Sequence, residues 1–497
     1  MDGRGASRGD GALTAKAYRY AVALLLMLAY TLNAADRTLI AIIGQPLKAD
    51  LKLSDTQLGL LVGPAFAALY AFSGIPIARL AERFNRVNII FIVMTLWSGL
   101  TALCGLTTSF MQLLLLRVGV GFGEAGCTPP AHSLLSDYFD ASRRATALSI
   151  YSCGISLGYI ISAMLGGYVA LHYGWRNACL VVGFPGVLVA LVIKQYVKEP
   201  PRGGSALRGP NWLRLELAEF AAVARTLAGS WPTANIVAGV IISSFAAQGS
   251  WAFVPAYFNR GFHLDYATMG VVTGLTGGVA VGVGLLCGGF IADFLGSRGA
   301  KWYALVPALA LSISLPLYIG AFLQADWRST AVLLGLAGFF QYISFGPTFG
   351  VIQNVVTVRR RATATALVYV LLSVIALAGG ALFTGWLIDH LAQFNFSHPD
   401  AGSIARSLEL MRSSVEAGGS FQLSCPGGDA AATAGIALHE ACRTALALSS
   451  REAILVTVLL HGWAALHYLL GALGLAKQMS QGPDRRDERH VIGEPTR

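Results

Sequence analysis

Charge is what this sequence has least of. Asp, Glu, Lys and Arg make up 12% of its 497 residues, against 55% hydrophobic ones, roughly half the charged share of a soluble domain. Such a chain cannot clothe a water-facing surface, which excludes an ordinary soluble enzyme and points to lipid as its solvent. Acid is the scarcer sign: 26 Asp and Glu face 36 Lys and Arg, a formal net charge of +10. No basic stripe interleaved with aromatics accompanies that excess, so nucleic acid is not an expected partner. Catalytic signatures are missing as well. No His-Glu-x-x-His occurs, no Gly-x-Ser-x-Gly stands at a strand-to-helix turn, and His132, His461 and His467 are spaced unlike metal ligands. We therefore expect no enzyme, no cofactor and no metal.

What the chain does have is long apolar runs. Taking about 20 residues as the length that crosses some 30 Å of hydrocarbon as helix, twelve candidate spans lie near 18–45, 55–78, 87–107, 110–136, 144–170, 174–196, 231–258, 267–292, 302–322, 330–356, 362–389 and 452–475. The expected fold class is an all-α polytopic membrane protein. A cleavable leader is not expected, because the segment before residue 18 is polar and the first apolar run is too long for one. Lys and Arg collect in the amino tail, 79–86, 143–144, 194–230, 298–301, 359–361 and the carboxyl tail. These are alternate connections, so both termini are expected inside the cell and the positive charge is a matter of topology. The composition and short tails read as bacterial, hence an inner-membrane address.

Cysteine follows the same division. Cys104, Cys127, Cys153, Cys179 and Cys287 fall in spans, whereas Cys425 and Cys442 share the connection 390–450. On the oxidising side of the membrane a disulfide between them is plausible, worth about 3 kcal/mol through loop closure; two free thiols are the alternative.

Hydrophobicity stops between Val197 and Trp231, where KEPPRGGSALRGP precedes the amphipathic NWLRLELAEFAAVART. This is the expected linker, 198–230, between bundles at 1–197 and 231–475, with a tail at 476–497. The halves echo each other. ARLAERFNRV (78–87) aligns with GFIADFLGSR (289–298), pairing Glu82 with Asp293, and RRATALS (143–149) aligns with RRATATA (360–366). Two matches at corresponding places argue for duplication, an arrangement common in secondary transporters.

On these residues the chain resembles the major facilitator superfamily. The loop motif of that family is matched by Leu80, Ala81, Arg83 and Arg86 in the first copy and by Gly289, Ala292, Asp293 and Gly296 in the second, and its fourth-helix pattern by RVGVGFGEAG, 117–126. A closer resemblance, to the Spinster branch of sphingolipid and lysolipid transporters, rests on LNAADR (32–37), GLLVGPAF (59–66), RVGVGFGEAG, SLLSDYF (133–139) and GWR (174–176). The resemblance implies two pseudo-symmetric six-helix bundles working by alternating access, a monomer, and an amphiphilic lipid as cargo, with a small organic anion or drug-like compound as the other reading. It also implies a cytoplasmic gate in which Glu82 meets Arg360 and Arg361, and Asp293 meets Arg143 and Arg144, with Arg83 and Arg86 either in the gate or serving as membrane-side anchors. Substrate contacts are implied from helices 1, 4, 7 and 10, where Ser243, Ser244, Gln248, Trp251, Gln341, Tyr342, Phe345 and Phe349 lie, with Tyr70 and Thr128 nearby.

Independent of any resemblance, four charges lie deep inside spans: Asp36, Arg37, Arg117 and Glu124. Each costs a few kcal/mol if left to lipid, so they must face a wet cavity or each other. Arg117 and Glu124 are two helical turns apart and share a face. Rise per residue puts Asp36 and Arg117 at similar depth, with Glu124 nearer the midplane. A carboxylate there has its proton affinity raised by desolvation and lowered by a nearby Arg, which makes Asp36 the expected proton site. Glu124 is expected either as a second site or as the group that holds Arg117. A static ion-pair network that only sets helix packing is the alternative.

Overall fold

The computed structural model describes residues 6–140, 143–200, 212–357, 360–398 and 420–480. Among these no strand occurs, and 12 helices are long and apolar enough to cross a membrane. In chain order the helices are α1 (Ala6–Ile42), α2 (Gly44–Leu51), α3 (Asp55–Val62), α4 (Pro64–Arg83), α5 (Arg86–Cys104), α6 (Phe110–Ala125), α7 (Thr128–Tyr138), α8 (Arg144–Tyr173) and α9 (Trp175–Tyr196). There follow α10 (Trp212–Ala228), α11 (Trp231–Phe262), α12 (Tyr266–Gly296), α13 (Trp302–Phe322), α14 (Trp327–Ile343), α15 (Phe345–Asn354), α16 (Arg361–Leu371), α17 (Ala378–Ser397) and α18 (Ile436–Ser480).

Three of the expected spans are broken helices, each with a local cause. The second is cut where Gly63 ends α3 and Pro64 opens α4, since proline cannot donate to the preceding turn. The fourth breaks at Gly126 and Cys127, just before Pro129 and Pro130, and the tenth at Ser344, three residues before Pro347. The eleventh carries a π-turn, Leu372–Leu377, between α16 and α17. The twelfth is longer than expected: α18 starts at Ile436 and α17 runs to Ser397, so helix occupies both ends of the 390–450 connection.

The chain divides into two compact units: 1–46, 65–206 and 265–274 form the first, and 47–64, 207–264 and 275–497 the second. The boundary at 206–207 falls within 198–230, and two short stretches cross it: 47–64, which holds α3, groups with the second unit and 265–274 with the first.

In the first unit α1 lies against α8. Gly154 and Gly158 make that approach possible, because a methyl at Gly158 would sit 2.7 Å from Ala34 Cβ and 2.9 Å from Ala35 N. These two glycines flank Ser156, so the Gly-x-Ser-x-Gly letters here mark helix packing inside α8 and no nucleophile elbow.

In the second unit Val240, Ala304, Ala308, Leu311, Val351, Ile352, Ala464 and Tyr468 form a core to which α10 adds Val223 and Leu227. The amphipathic linker helix is thus docked by its apolar face. Cys425 and Cys442 are joined as a disulfide. Beside it Asp429 accepts from His439 Nδ1 at 2.8 Å and Arg443 Nη2 at 2.8 Å. Partial burial pushes the Asp429 carboxyl up, but the hydrogen bonds from Arg443 and His439 outweigh it and hold the group below the usual carboxylate range. A depressed carboxylate stabilises the folded loop above its unfolded pKa and loses that contribution as pH falls through the folded one.

Candidate functional site

The four deep charges come together inside the first unit. Asp36 and Arg37 are consecutive on α1, and the 100° step between them turns one toward α5 and α6 and the other toward α4. Arg117 Nη1 donates to Asp36 Oδ1 at 3.2 Å, and Thr101 Oγ1 donates to Asp36 Oδ2 at 2.8 Å. Arg37 Nε donates to Glu124 Oε2 at 2.6 Å, while its Nη2 reaches Asn33 Oδ1 at 2.8 Å. The pairing is crossed: Glu124 holds Arg37, which corrects the expectation that it would hold Arg117. Sequence reasoning placed Arg117 and Glu124 on one face, but which α1 residue each would meet depends on the rotation of α1, which spacing within α6 does not contain.

Burial separates the members. Asp36, Arg117 and Glu124 are all at most 2% exposed, whereas the Arg37 side chain is 30% exposed. Glu124 Oε1 is buried without a hydrogen-bond partner, while its Oε2 accepts from Arg37. Two buried carboxylates in one such quartet cannot both stay ionised unless their cations stay put. With both acids and both Arg charged the quartet is neutral, and a carboxyl in it can take up one proton when its cation moves away.

Aromatic rings line the Arg37 side. Its guanidinium lies 4.6 Å from the Tyr70 ring centre and 5.2 Å from that of Phe66, and Phe66 also lies 5.6 Å from the Arg117 guanidinium. Each such contact adds about 1 kcal/mol where water is excluded. Tyr30 and Tyr151 stack at 4.4 Å, and Tyr151 donates to Thr128 Oγ1 at 3.2 Å. Thr128 and Tyr70 are half-buried, consistent with lining a cavity.

In the second unit several expected cavity residues are core instead. Gln341 is 1% exposed, Ser243 2% and Trp251 8%. Trp251 Nε1 donates to the Tyr318 hydroxyl at 3.1 Å, which donates to Gln341 Oε1 at 2.5 Å, and the Ser243 hydroxyl returns to Val240 O at 3.2 Å. The correction has a simple origin: a polar residue in an apolar helix needs a partner wherever it points, and sequence does not say whether the partner is substrate or Tyr318. Ser244 is buried as well, whereas Gln248 is exposed and Tyr342, Phe345 and Phe349 are half-buried, so these four keep an open face.

Arg86, expected in the gate or as an anchor, is 3% exposed. Its Nη1 donates to Asp137 Oδ2 at 2.6 Å and Ser133 Oγ at 2.7 Å, and its Nε to Glu199 Oε1 at 2.8 Å. Buried and shared among α7 and the end of α9, it is a structural tie of the first unit. Arg86→Ala is expected to lower the thermal stability of the detergent-purified protein by about 3 kcal/mol, since it leaves two acids without their cation; an unchanged melting temperature would return it to the surface-anchor role. Arg144 Nε donates to Ser136 O at 2.9 Å, and Arg143 stands exposed before α8. Arg361 Nε reaches Gln353 O at 3.1 Å, and Arg360 Nε pairs with Glu219 of α10 at 3.2 Å. Sequence reasoning missed Glu219; its signal was an acid on the polar face of an amphipathic helix. Arg83 and Asp293 are exposed, and the Glu82 side chain lies outside the described residues.

Among the described residues no cluster of three or more His, Cys, Asp or Glu is grouped as a metal site. His461 is buried with Nδ1 against Val458 O at 2.9 Å, and His467 Nδ1 meets Asn235 Oδ1 at 2.8 Å.

A membrane-embedded quartet of paired charges on a twelve-span helical frame defines a transport protein rather than an enzyme. The chain belongs to the Major Facilitator Superfamily, whose family model matches residues 26–380. It is 32% identical over 373 residues to an MFS-type efflux pump of Mycolicibacterium smegmatis, covering 74% of this chain and 84% of that one. It is 27% identical over 397 residues to protein spinster homolog 1 of Xenopus tropicalis, covering 76% and 75%. A crystal structure of a bacterial homolog to the human lysosomal transporter Spinster, inward-facing and unoccupied, superposes with a TM-score of 0.78 at 31% identity, covering 93% of this chain and 98% of that one. The resemblance to the Spinster branch therefore holds in both sequence and fold.

Proposed function

We propose that the protein is a proton-coupled secondary transporter that carries an amphiphilic lipid, a lysolipid or sphingoid phosphate, by alternating access. The observation that carries the coupling is the buried Glu124 Oε1 without a hydrogen-bond partner, on an acid whose cation, Arg37, is partly exposed. When Arg37 swings toward an anionic headgroup, Glu124 loses its counter-charge and the carboxyl pair gains affinity for a proton; return of Arg37 expels it. Tyr70 and Phe66 beside Arg37 suit the junction of a charged head and an apolar tail. The lipid reading rests on the resemblance of LNAADR, GLLVGPAF and RVGVGFGEAG to the Spinster branch.

In this reading the protein acts as a monomer in the bacterial inner membrane with both termini in the cytoplasm. Glu82, Arg83, Asp293, Arg143, Arg144, Arg360 and Arg361 keep the gate role. Thr128, Tyr70, Gln248, Tyr342 and Phe345 line the substrate path.

A second reading, a carrier of small organic anions, is favoured by the hexuronate transporter of Bacillus subtilis, 25% identical over 399 residues, and by an Arg exposed enough to clamp a carboxylate. Uptake of a labelled sphingoid phosphate into proteoliposomes under an imposed pH gradient separates the two. Saturable flux that collapses with a protonophore is expected. Flux of a hexuronate in its place would select the anion carrier, and lipid flux indifferent to the gradient would refute coupling.

A further inference from the structure

The eleventh span is irregular at a place where its sequence gives no reason for it. The stretch LSVIAL, 372–377, holds neither Gly nor Pro, and Val374 and Ile375 in it are 44% and 42% exposed, so neither composition nor crowding forbids an ordinary α-helix here. Yet the Ala378 N–H reaches back five residues to Ser373 O, which puts one more residue into the turn than an α-helix holds. A turn so rare, on residues that do not demand it, must be held by its neighbours.

Those neighbours hold its two sides in different ways. Beyond the π-turn, α17 is seated backbone to backbone. A methyl at Gly63, where α3 ends, would sit 2.8 Å from both Leu377 O and Ala378 O, one at Gly59 3.0 Å from Ala381 C, and one at Gly249 of α11 2.8 Å from Gly380 O. Approaches that close fix the rotation of α17. Before the π-turn, α16 is held through side chains, and one face of it meets α15. Arg361 Nε donates to Gln353 O at 3.1 Å, Thr365 Oγ1 accepts from Gln353 Nε2 at 3.5 Å, and Tyr369 stacks on Phe349 at 5.0 Å. These three residues are spaced by four, one helical turn each. Ala364 and Val368 share a core with Val223 and Leu227 of α10. Polar and ring contacts of this kind are individually weak and can be exchanged.

We propose that the π-turn is a register switch inside the second unit. In the course of the transport cycle its extra residue passes into α-helical pairing, so that α16 turns about 100° and moves about 1.5 Å along its axis while α17 stays seated on α3 and α11. The face bearing Arg361, Thr365 and Tyr369 then leaves α15. A unit that moved as one rigid body would keep α15 and α16 in contact throughout, and would have no use for a π-turn between α16 and α17. The switch rests on the chain being a carrier and on neither the proton nor the lipid of the reading above.

The first test needs no substrate. Gln353→Cys with Thr365→Cys, in a background of Cys153→Ala and Cys287→Ala, is bridged with a short bis-maleimide, and amide hydrogen exchange of the full-length protein is followed by mass spectrometry. The bridge lies about two turns from the π-turn, too far to touch it. Because the bridge holds α16 in its present register, the peptide covering 372–378 is expected to exchange about tenfold more slowly than in the same variant capped with a monomaleimide. The second test removes the extra residue. Deletion of Val374 leaves both flanks where they are, so the variant is expected to melt near the native temperature, to show slow exchange without any bridge, and to lose flux of the cargo, sphingoid phosphate or hexuronate, that the native protein carries. Exchange at 372–378 that ignores the bridge, or native flux from the deletion variant, would overturn the switch; if the deletion variant does not fold, the bridge decides alone. Failure of the native protein to move sphingoid phosphate would count against the lipid reading and leave the exchange result standing.

Discussion

With Asn in place of Asp36, accumulation driven by a pH gradient is expected to fall about 100-fold, the scale of a positioned proton-transfer group, while exchange of labelled for unlabelled substrate continues. Asn fills the same space and its carbonyl can still accept from Thr101, which reaches Asp36 at 2.8 Å. It carries no charge for Arg117, the partner at 3.2 Å, and so imitates the protonated carboxyl permanently. A carrier locked in that form can still shuttle loaded, since exchange moves no net proton, but it cannot release the proton that drives uphill movement. The paired measurement in proteoliposomes is gradient-driven uptake against counterflow of the same sphingoid phosphate. Loss of both would make the quartet a structural or substrate-clamping element. Loss of neither, with loss of accumulation in Glu124→Gln, would move the coupling proton to Glu124. Adding Arg117→Gln to Asp36→Asn removes the stranded cation and is expected to recover protein yield without recovering accumulation, because a static network recovers fully when both partners become neutral.

The quartet was legible in the sequence because lipid makes charge conspicuous. Asp36, Arg37, Arg117 and Glu124 interrupt apolar runs where each would be costly alone, so sequence by itself says that they must find one another. The twelve spans were legible for the same reason. The buried cluster of Lys48, Asp55 and Arg260 was not. These three lie at span ends, where charge is ordinary, and Arg260 is 205 residues from Asp55; only the fold reveals that they are buried. Glu219 escaped likewise, being on a helix face that expects charge, so its pairing with Arg360 was not foreseen. The breaks after Gly63 and Gly126 were written in Gly and Pro, but a hydropathy window averages across them. Core and cavity were indistinguishable for Gln341 and Trp251, since their partner Tyr318 carries no mark of its own in an apolar helix.

Gly121→Ala tests whether the site depends on how near the helices come. A methyl at Gly121 would be driven into the Phe66 backbone, 3.1 Å from its carbonyl carbon and 3.3 Å from its Cα, and backbone cannot swing aside as a side-chain tip can. Over-packing of this kind costs about 2 kcal/mol, so a lower melting temperature is expected. The consequence for transport should be larger than the loss of stability, because the Phe66 ring lies 5.2 Å from the Arg37 guanidinium and 5.6 Å from that of Arg117. Pushing Phe66 displaces both cations relative to their acids, and misplacement of about an ångström costs up to 100-fold in a positioned site. Gly119→Ala is the control on the same helix. There the methyl meets only Leu100, at 2.9 Å from Cδ1, the far end of a flexible side chain, and flux is expected to stay near the native rate. If the two variants melt and transport alike, the Gly121 contact does not set the geometry of the quartet, and the alignment of Arg37 with Glu124 must be carried by their own hydrogen bond.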